Sequence, residues 1–453
     1  MKVAGRSFSV VGAGRSGISA ANLLARLGGD VLLSDRCAEA DVASAVARLD
    51  GRVATTFGGE VVRPGDTAVL SPGIPPHAAA FRLAERAAGE VMGEVELFWR
   101  LFPGRVVAVT GTDGKSTVTT LVAHLVRAAG LPATAAGNLG NPLCDLLPDV
   151  GADHVVVAEV SCFQLLTCSR FRPQVALVTN LAEDHLDHHG SYPAYIRAKA
   201  RVLAAQAAGD AFVRNLDDPV LASWLSPSDP YTRDNGQRVL DVSQRGPVAS
   251  GAYARDGHFW VAAPGRAAER VAGRKAFPPP GGHNVENALL ALAACLPLGI
   301  GPDALAEGLA TYRGLPHRIE RVREVDGVVF YNDSKATNPH AAITGLRAFD
   351  ERVVLIAGGH EKGLPLDELA SEVGRRALAV VLVGECAERM RREFPAAVPT
   401  EVLPDLAAGV ARAFEIARPA RSVVLFSPAA SSYDQFRDFE QRGERFREIV
   451  NSL

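Results

Sequence analysis

Val106-Val107-Ala108-Val109-Thr110-Gly111-Thr112-Asp113-Gly114-Lys115-Ser116-Thr117 decides how this chain folds. A β-branched run opens the stretch, a glycine-punctuated turn follows, and the pattern predicts a helix over 117–129. Strand, Gly-rich loop and helix in that order make an anion site. Successive backbone N–H groups form a concavity, and the helix N-terminus adds partial positive charge. Lys115 is placed to neutralise outer phosphates, and the Ser116 hydroxyl suits Mg²⁺. A common P-loop has glycine where Val109 stands, so this is a shorter form, Gly-Thr-Asp-Gly-Lys-Ser-Thr. The alternative is a tight strand-to-helix turn without a ligand. Gly, Gly, Lys and Ser all falling in place after a strand favour phosphate binding.

Outward from this stretch, the bulk numbers set limits. A chain of 453 residues allows about three domains of ~150 residues. Apolar content of 47% with 22% charged residues describes an ordinary globular protein. A net charge of -3 gives no basic field for nucleic acid. No segment reaches the ~18 uncharged apolar residues of a membrane span, and Phe8 to Val11 runs straight into a glycine turn without a signal-peptide pattern. Cys37, Cys144, Cys162, Cys168, Cys295 and Cys386 form no CxxC pair, which predicts reduced thiols and a cytoplasmic protein.

Upstream, Ser7 to Val11 reads as a strand, Gly12-Ala13-Gly14-Arg15-Ser16-Gly17 as a turn, 18–27 as a helix, and 30–34 as a second strand ending at Asp35. This βαβ unit with GxGxxG and an acid ~20 residues on fits a dinucleotide, or any other diphosphate. A third strand, Thr67 to Leu70, ends in Ser71-Pro72-Gly73-Ile74, a polar turn where open sheets bind ligands.

Downstream, Gly137-Asn138-Leu139-Gly140 is a turn-rich loop, and the buried-strand run Val155-Val156-Val157-Ala158 is capped by Glu159-Val160-Ser161-Cys162-Phe163-Gln164. Glu159 is either an Mg²⁺ ligand or a solvated strand-end charge. The strand 175–178 ends in Glu183-Asp184-His185-Leu186-Asp187-His188-His189. With no partner constellation for zinc, a single imidazole, His185, on Mg²⁺ or on a carboxylate is the economical reading, and His188 and His189 are bystanders. Lys199 sits on a helical stretch and by default is a surface lysine. Asn284 and Asn287 stand near a helix start as caps or as amide readers of a nucleobase. In the last third, strands at 328–331, 353–357, 380–383 and 423–426 each end in a polar or Gly/Ser-rich loop. That alternation predicts a further doubly wound sheet.

Taken in order, Gly-Thr-Asp-Gly-Lys-Ser-Thr, Glu-Val-Ser-Cys-Phe-Gln-Leu, Glu-Asp-His-Leu-Asp, Leu-Pro-His-Arg and Asn-Asp-Ser-Lys-Ala-Thr-Asn resemble the Mur ligases of peptidoglycan synthesis over the whole chain. The close, Ser-Pro-Ala-Ala-Ser-Ser-Tyr-Asp-Gln-Phe-Arg-Asp-Phe-Glu-Gln-Arg-Gly, looks like that of the members adding D-glutamate. The resemblance implies three α/β domains: 1–93, Rossmann-like, for the UDP-sugar; 94–314, P-loop ATPase-like, for ATP; and 315–453, Rossmann-like, for the amino acid.

It also implies roles. Ser16, Asp35, Arg36, Ser71, Gly73, Asn138 and Gln164 would hold the UDP substrate, so the GxGxxG would cradle UDP and not a nicotinamide cofactor. Gly111, Thr112, Asp113, Gly114, Lys115, Ser116, Thr117, Asn287, Arg318, Asp333 and Lys335 would bind ATP. Ser116, Glu159 and His185 would surround two Mg²⁺ ions, joined by Lys199 in carbamylated form. Thr337, Lys362, Ser432 and Phe439 would place D-glutamate. The implied reaction is ATP-dependent amide formation on UDP-N-acetylmuramoyl-L-alanine through an acyl phosphate, with Lys115, Lys199, His185 and Glu159 as the working residues. The implied partners are small molecules alone, taken by a monomer. Asp113 stands where the family usually has asparagine, Cys162 where it often has serine, and Arg36-Cys37 where it has Thr-Arg. The alternatives are another Mur-type ligase, adding L-alanine, diaminopimelate or lysine, and folylpolyglutamate synthase. An NAD-dependent oxidoreductase would leave the phosphate loop without a purpose, and a nucleotide switch would leave the C-terminal loops without one.

Overall fold

The computed structural model describes Met1–Leu453. Its first sheet joins β1 (Ser7–Val11), β2 (Asp30–Asp35), β3 (Ala54–Phe57), β4 (Thr67–Leu70) and β5 (Glu90–Gly93) in the order β3-β2-β1-β4-β5, all parallel. The order reverses between β1 and β4, so their carboxyl ends form the crevice where open sheets take ligands. Gly12 and Ser71 meet there. The Ser71 hydroxyl donates to the Gly12 carbonyl at 3.0 Å, and a Cβ on Gly12 (φ +98°) would lie 2.6 Å from that hydroxyl. The first helix runs Arg15–Arg26, starting earlier than the sequence pattern indicates. Extended Gly14 ends the turn, so Arg15, Ser16 and Gly17 form the first helical turn.

The central sheet has nine strands: β6 (Arg105–Thr110), β7 (Ala133–Gly137), β8 (Val155–Glu159), β9 (Val175–Val178), β10 (Ala211–Asn215), β11 (Arg238–Ser243), β12 (Gly251–Arg255), β13 (His258–Ala262) and β14 (Glu269–Gly273). Their order is β14-β13-β12-β11-β10-β9-β6-β8-β7. β8, β6 and β9 lie in the parallel part and are buried along almost their whole length, which explains their unbroken apolar runs. β12 to β14 form an antiparallel meander at one edge. The helix after β6 is Lys115–Ala128, two residues ahead of the sequence reading, because left-handed Gly114 (φ +77°) turns the chain straight into it.

The third sheet joins β15 (Glu320–Val325), β16 (Val328–Asn332), β17 (Val353–Ala357), β18 (Ala377–Leu382), β19 (Thr400–Val402) and β20 (Val423–Phe426) in the order β15-β16-β20-β17-β18-β19, parallel apart from the β15–β16 hairpin. Alternate residues of β17 enter opposite cores. Val353, Leu355 and Ala357 pack on one face, and Val354 and Ile356 on the other. The chain is thus mixed α/β with three sheets dominated by parallel pairing. It divides into two compact units, Met1–Arg274 with Glu286–Gly308, and Lys275–Val285 with Leu309–Leu453. No helix is long and apolar enough to cross a membrane.

Candidate active site

The phosphate loop is strapped by the segment that follows β9. The Thr179 hydroxyl donates to the Asp113 carbonyl at 2.6 Å. The Thr112 and Asp113 N–H groups are taken by the Asn180 carbonyl and side-chain oxygen, each at 2.9 Å. Thr112 Oγ1 lies 2.9 Å from the Tyr195 hydroxyl. So Thr112 and Asp113 brace the loop, and the helix start at Lys115 and Ser116 is the end whose N–H groups suit an anion. Gly111 is tight: with φ +139°, a Cβ there would lie 1.9 Å from Thr179 Oγ1. Gly114 brings in Asn287, whose side-chain oxygen would be 2.4 Å from a Cβ on that glycine. Thr117 is buried within the first turn, and Lys115 Nζ folds back to the Thr112 carbonyl at 2.6 Å.

Beside the loop stand two buried ionisable groups. Val109 of β6 pairs with Glu159 of β8, so the Glu159 carboxylate sits at the strand tip next to the phosphate loop. One oxygen accepts from the Asn138 amide at 2.8 Å, and the other is buried without a partner. A buried, half-satisfied carboxylate fits a cation. Lys199 is 2% exposed, contrary to the default surface reading. Its ammonium donates to the Gly111 carbonyl at 2.6 Å and lies 4.5 Å from the Tyr195 ring centre. Burial, with Lys115 adding to it, pushes the Lys199 ammonium down to about 8. His185 adopts φ +52°, is paired with Asp184, and has its ring 4.8 Å from that of Phe163. His188 and His189 pack their rings on the same Phe163. No three His, Cys, Asp or Glu side chains come together as a metal cluster.

At the first sheet, burial would raise the Asp35 carboxyl, but the N–H groups of Cys37 (2.8 Å) and Ala13 (2.6 Å) hold it below the usual range. Asp35 therefore braces the glycine turn. Arg36 and Gly73 are exposed at strand ends of this crevice, and so is Asn138 in its own loop. Gln164 is buried and closes a capping box with Ser161. Arg15 donates to the Gly140 carbonyl, tying the glycine turn to the loop that carries Asn138.

The second compact unit holds the remaining predicted residues. Asp333 is buried at the end of β16 and accepts from the Ser427 hydroxyl (2.7 Å) and the Ile319 N–H (3.2 Å). Burial pushes its carboxyl up to about 7 against these donors and the Arg318 charge. Arg318 itself is exposed. Lys335 Nζ lies 5.5 Å from the Phe439 ring centre. Lys362 Nζ donates to the Thr337 carbonyl at 3.3 Å, and Ser432 is buried in the loop after β20. The structure thus brings Lys335 to Phe439 and Lys362 to Thr337.

Two family models match: the Mur ligase middle domain over residues 109–295, and the Mur ligase glutamate ligase domain over residues 317–430. The UDP-N-acetylmuramoylalanine–D-glutamate ligase of Pelotomaculum thermopropionicum is 40% identical, with 98% of this chain and 97% of the relative covered. The protein of the same name from Geobacter metallireducens is 38% identical over 100% of this chain and 99% of its own. The chain belongs to the Mur ligase family. The solved UDP-N-acetylmuramate-alanine ligase of Thermotoga maritima shares the fold at 20% identity, with a TM-score of 0.57 over 98% of this chain and 99% of that one.

Three features of this Mur ligase escaped the sequence reading. The Thr179–Asn180 strap and Tyr195 have no motif that marks them, because they act by bracing the loop from a distant segment. Glu94 opens the helix Glu94–Leu101 as if it were a first-turn surface acid, yet it is fully buried and accepts from the Cys144 N–H at 2.9 Å. Burial pushes its carboxyl up to about 7 against the Cys144 and Leu143 N–H groups and the Ser16 hydroxyl, so the predicted Ser16 faces a carboxyl. The third is Arg442, treated below.

Proposed function

We propose that this Mur ligase joins D-glutamate to UDP-N-acetylmuramoyl-L-alanine, with ATP cleaved to ADP and phosphate. The observation that carries the reading is a strapped phosphate loop ending at Lys115, next to buried Glu159 and Lys199. It occurs in a chain 38% to 40% identical, end to end, to ligases named for that reaction. The reading gives 1–93 the UDP-sugar, with Ser16, Asp35, Arg36, Ser71 and Gly73, helped by Asn138 and Gln164 from the central region. It gives 94–314 the ATP phosphates with Asn287 as a nucleoside contact, and 315–453 the nucleoside contacts of Arg318 and Asp333, with Lys335 reaching the γ-phosphate, together with the amino acid. Six free cysteines fit action in the reducing cytoplasm. The reading takes small molecules as the only partners and the protein as a monomer.

The alanyl carboxylate attacks the γ-phosphorus of ATP and ADP leaves. The amine of D-glutamate then attacks the acyl carbon of the resulting acyl phosphate. Phosphate departs with one carboxylate oxygen, and the ammonium proton is lost. Lys115 and the helix start beside it offset the charge gathering on the phosphoryl group. Two Mg²⁺ ions held by Ser116, Glu159, His185 and a carbamylated Lys199 would supply Lewis-acid charge that lets a carboxylate approach a triphosphate. For the carbamate, a neutral Lys199 amine attacks CO₂ and sheds a proton. The buried amine suits this, since about one in ten such groups is neutral at pH 7 when the pKa is about 8. The test is ADP release with UDP-N-acetylmuramoyl-L-alanine and a panel of amino acids. D-Glutamate alone should trigger release. Release with L-alanine, lysine or diaminopimelate in its place overturns the reading.

A further inference from the structure

Arg442 lies in the first turn of the helix Phe439–Ser452 and is 3% exposed. Its fork reaches two loops. Nε donates to the Ser334 hydroxyl at 3.1 Å, and Nη2 to the carbonyls of Ser334 and Ala430, each at 3.0 Å. Nη1 donates to the Ser431 carbonyl at 3.0 Å. That same carbonyl accepts from the His360 N–H at 2.9 Å, which draws in the loop after β17. A Cβ on Gly359 would lie 2.9 Å from Nη1, so this third loop is packed against the guanidinium. Ser334 completes the knot by donating its hydroxyl to the Phe439 carbonyl at 2.8 Å.

No carboxylate pairs with this buried cation. Its acceptors are three carbonyls and a hydroxyl, and the Phe426 ring centre is 6.0 Å away. Burial pushes the guanidinium down to about 10, the mark of a charge held at a cost. A chain that needed only packing here has apolar residues available. A planar fork gives what they do not: fixed spacing between three backbone segments.

Those segments carry Thr337, Lys362 and Ser432, and the helix starts at Phe439. We infer that Arg442 is the positioning residue of the amino-acid subsite, setting the spacing of these four side chains. The inference rests on the functional reading above, which assigns the amino acid to them.

The test uses the full chain with Arg442→Lys, which keeps the charge but loses the fork, and Arg442→Met, which loses both. KM is measured for D-glutamate, ATP and the UDP substrate, with the thermal midpoint alongside. Loss of charged hydrogen bonds should raise the KM for D-glutamate about tenfold to a hundredfold in both variants. The KM for the UDP substrate should stay within about twofold, since its contacts lie outside the knot, and the KM for ATP should rise less than that for D-glutamate, since Asp333 and Lys335 only flank Ser334. Three KM values that rise together, or a lowered thermal midpoint with an unchanged KM for D-glutamate, overturn the inference. Should neither variant fold, Ser334→Ala removes one acceptor and leaves the guanidinium in place. It should give the same split at about threefold to tenfold, and an unchanged KM for D-glutamate overturns the inference there too. A wild-type protein that turns over with another amino acid refutes the functional reading alone, and the same split is then read in the KM for that amino acid.

Discussion

Glu94→Gln isolates one buried charge. In the native protein burial lifts this carboxyl from its usual 4.5 to about 7. Between those values the folded state keeps a proton that the unfolded chain has lost, so stability falls as pH rises through the window. The favourable contribution is complete below pH 4.5 and gone above about 7. At about 1.4 kcal/mol per unit, the swing is about 3 kcal/mol. Glutamine keeps an oxygen for the Cys144 N–H, which now meets Glu94 at 2.9 Å, and cannot titrate. The variant should therefore gain on the wild type by about 3 kcal/mol between about pH 5 and pH 8. The first urea transition of the full chain, followed at four pH values for both proteins, measures this difference. A difference that stays flat across the range, or that grows toward acid, would refute the assignment of a protonated carboxyl beneath the Ser16 turn.

Lys199→Ala should lower turnover by at least about a hundredfold, and added acetate or formate should restore part of it, since the missing group is a carboxylate. Full activity without the additive would mean that Lys199 bears no carbamate role. Glu159→Gln removes the charge at the strand tip and should raise the Mg²⁺ concentration for half-maximal ADP release by at least about tenfold, read from a metal titration. Gly111→Ala forces a Cβ to within 1.9 Å of Thr179 Oγ1 at φ +139°. It should cost about 1–3 kcal/mol in thermal unfolding and weaken MgATP binding measured by calorimetry.

Much of this was legible in the sequence, for identifiable reasons. Strands such as Val155–Glu159 and Val353–Ala357 are β-branched runs because both faces are buried, and polar turns end them at the ligand edge. The meander from Gly251 to Gly273 went unread because its strands are five residues each and the last, Glu269–Gly273, is polar at its start and nowhere buried, so the one short apolar run at Phe259–Ala262 stands without a flanking pattern. Glu94 and Arg442 were passed over for one shared reason. A charged residue in a first helical turn looks solvated, and only tertiary packing reveals that each is buried and bonded to backbone from distant loops. Lys199 was singled out through family likeness and not through spacing, because nothing local marks a lysine that reaches Gly111 across 88 positions.

The central claim is that the phosphoryl group gripped at Lys115 passes to a carboxylate before the amide forms. UDP-N-acetylmuramoyl-L-alanine labelled with heavy oxygen in its terminal carboxylate, turned over with ATP and D-glutamate, reports this directly by mass spectrometry of the released phosphate. One labelled oxygen should enter phosphate for each amide bond made. Phosphate that carries none while the amide accumulates would contradict the mechanism.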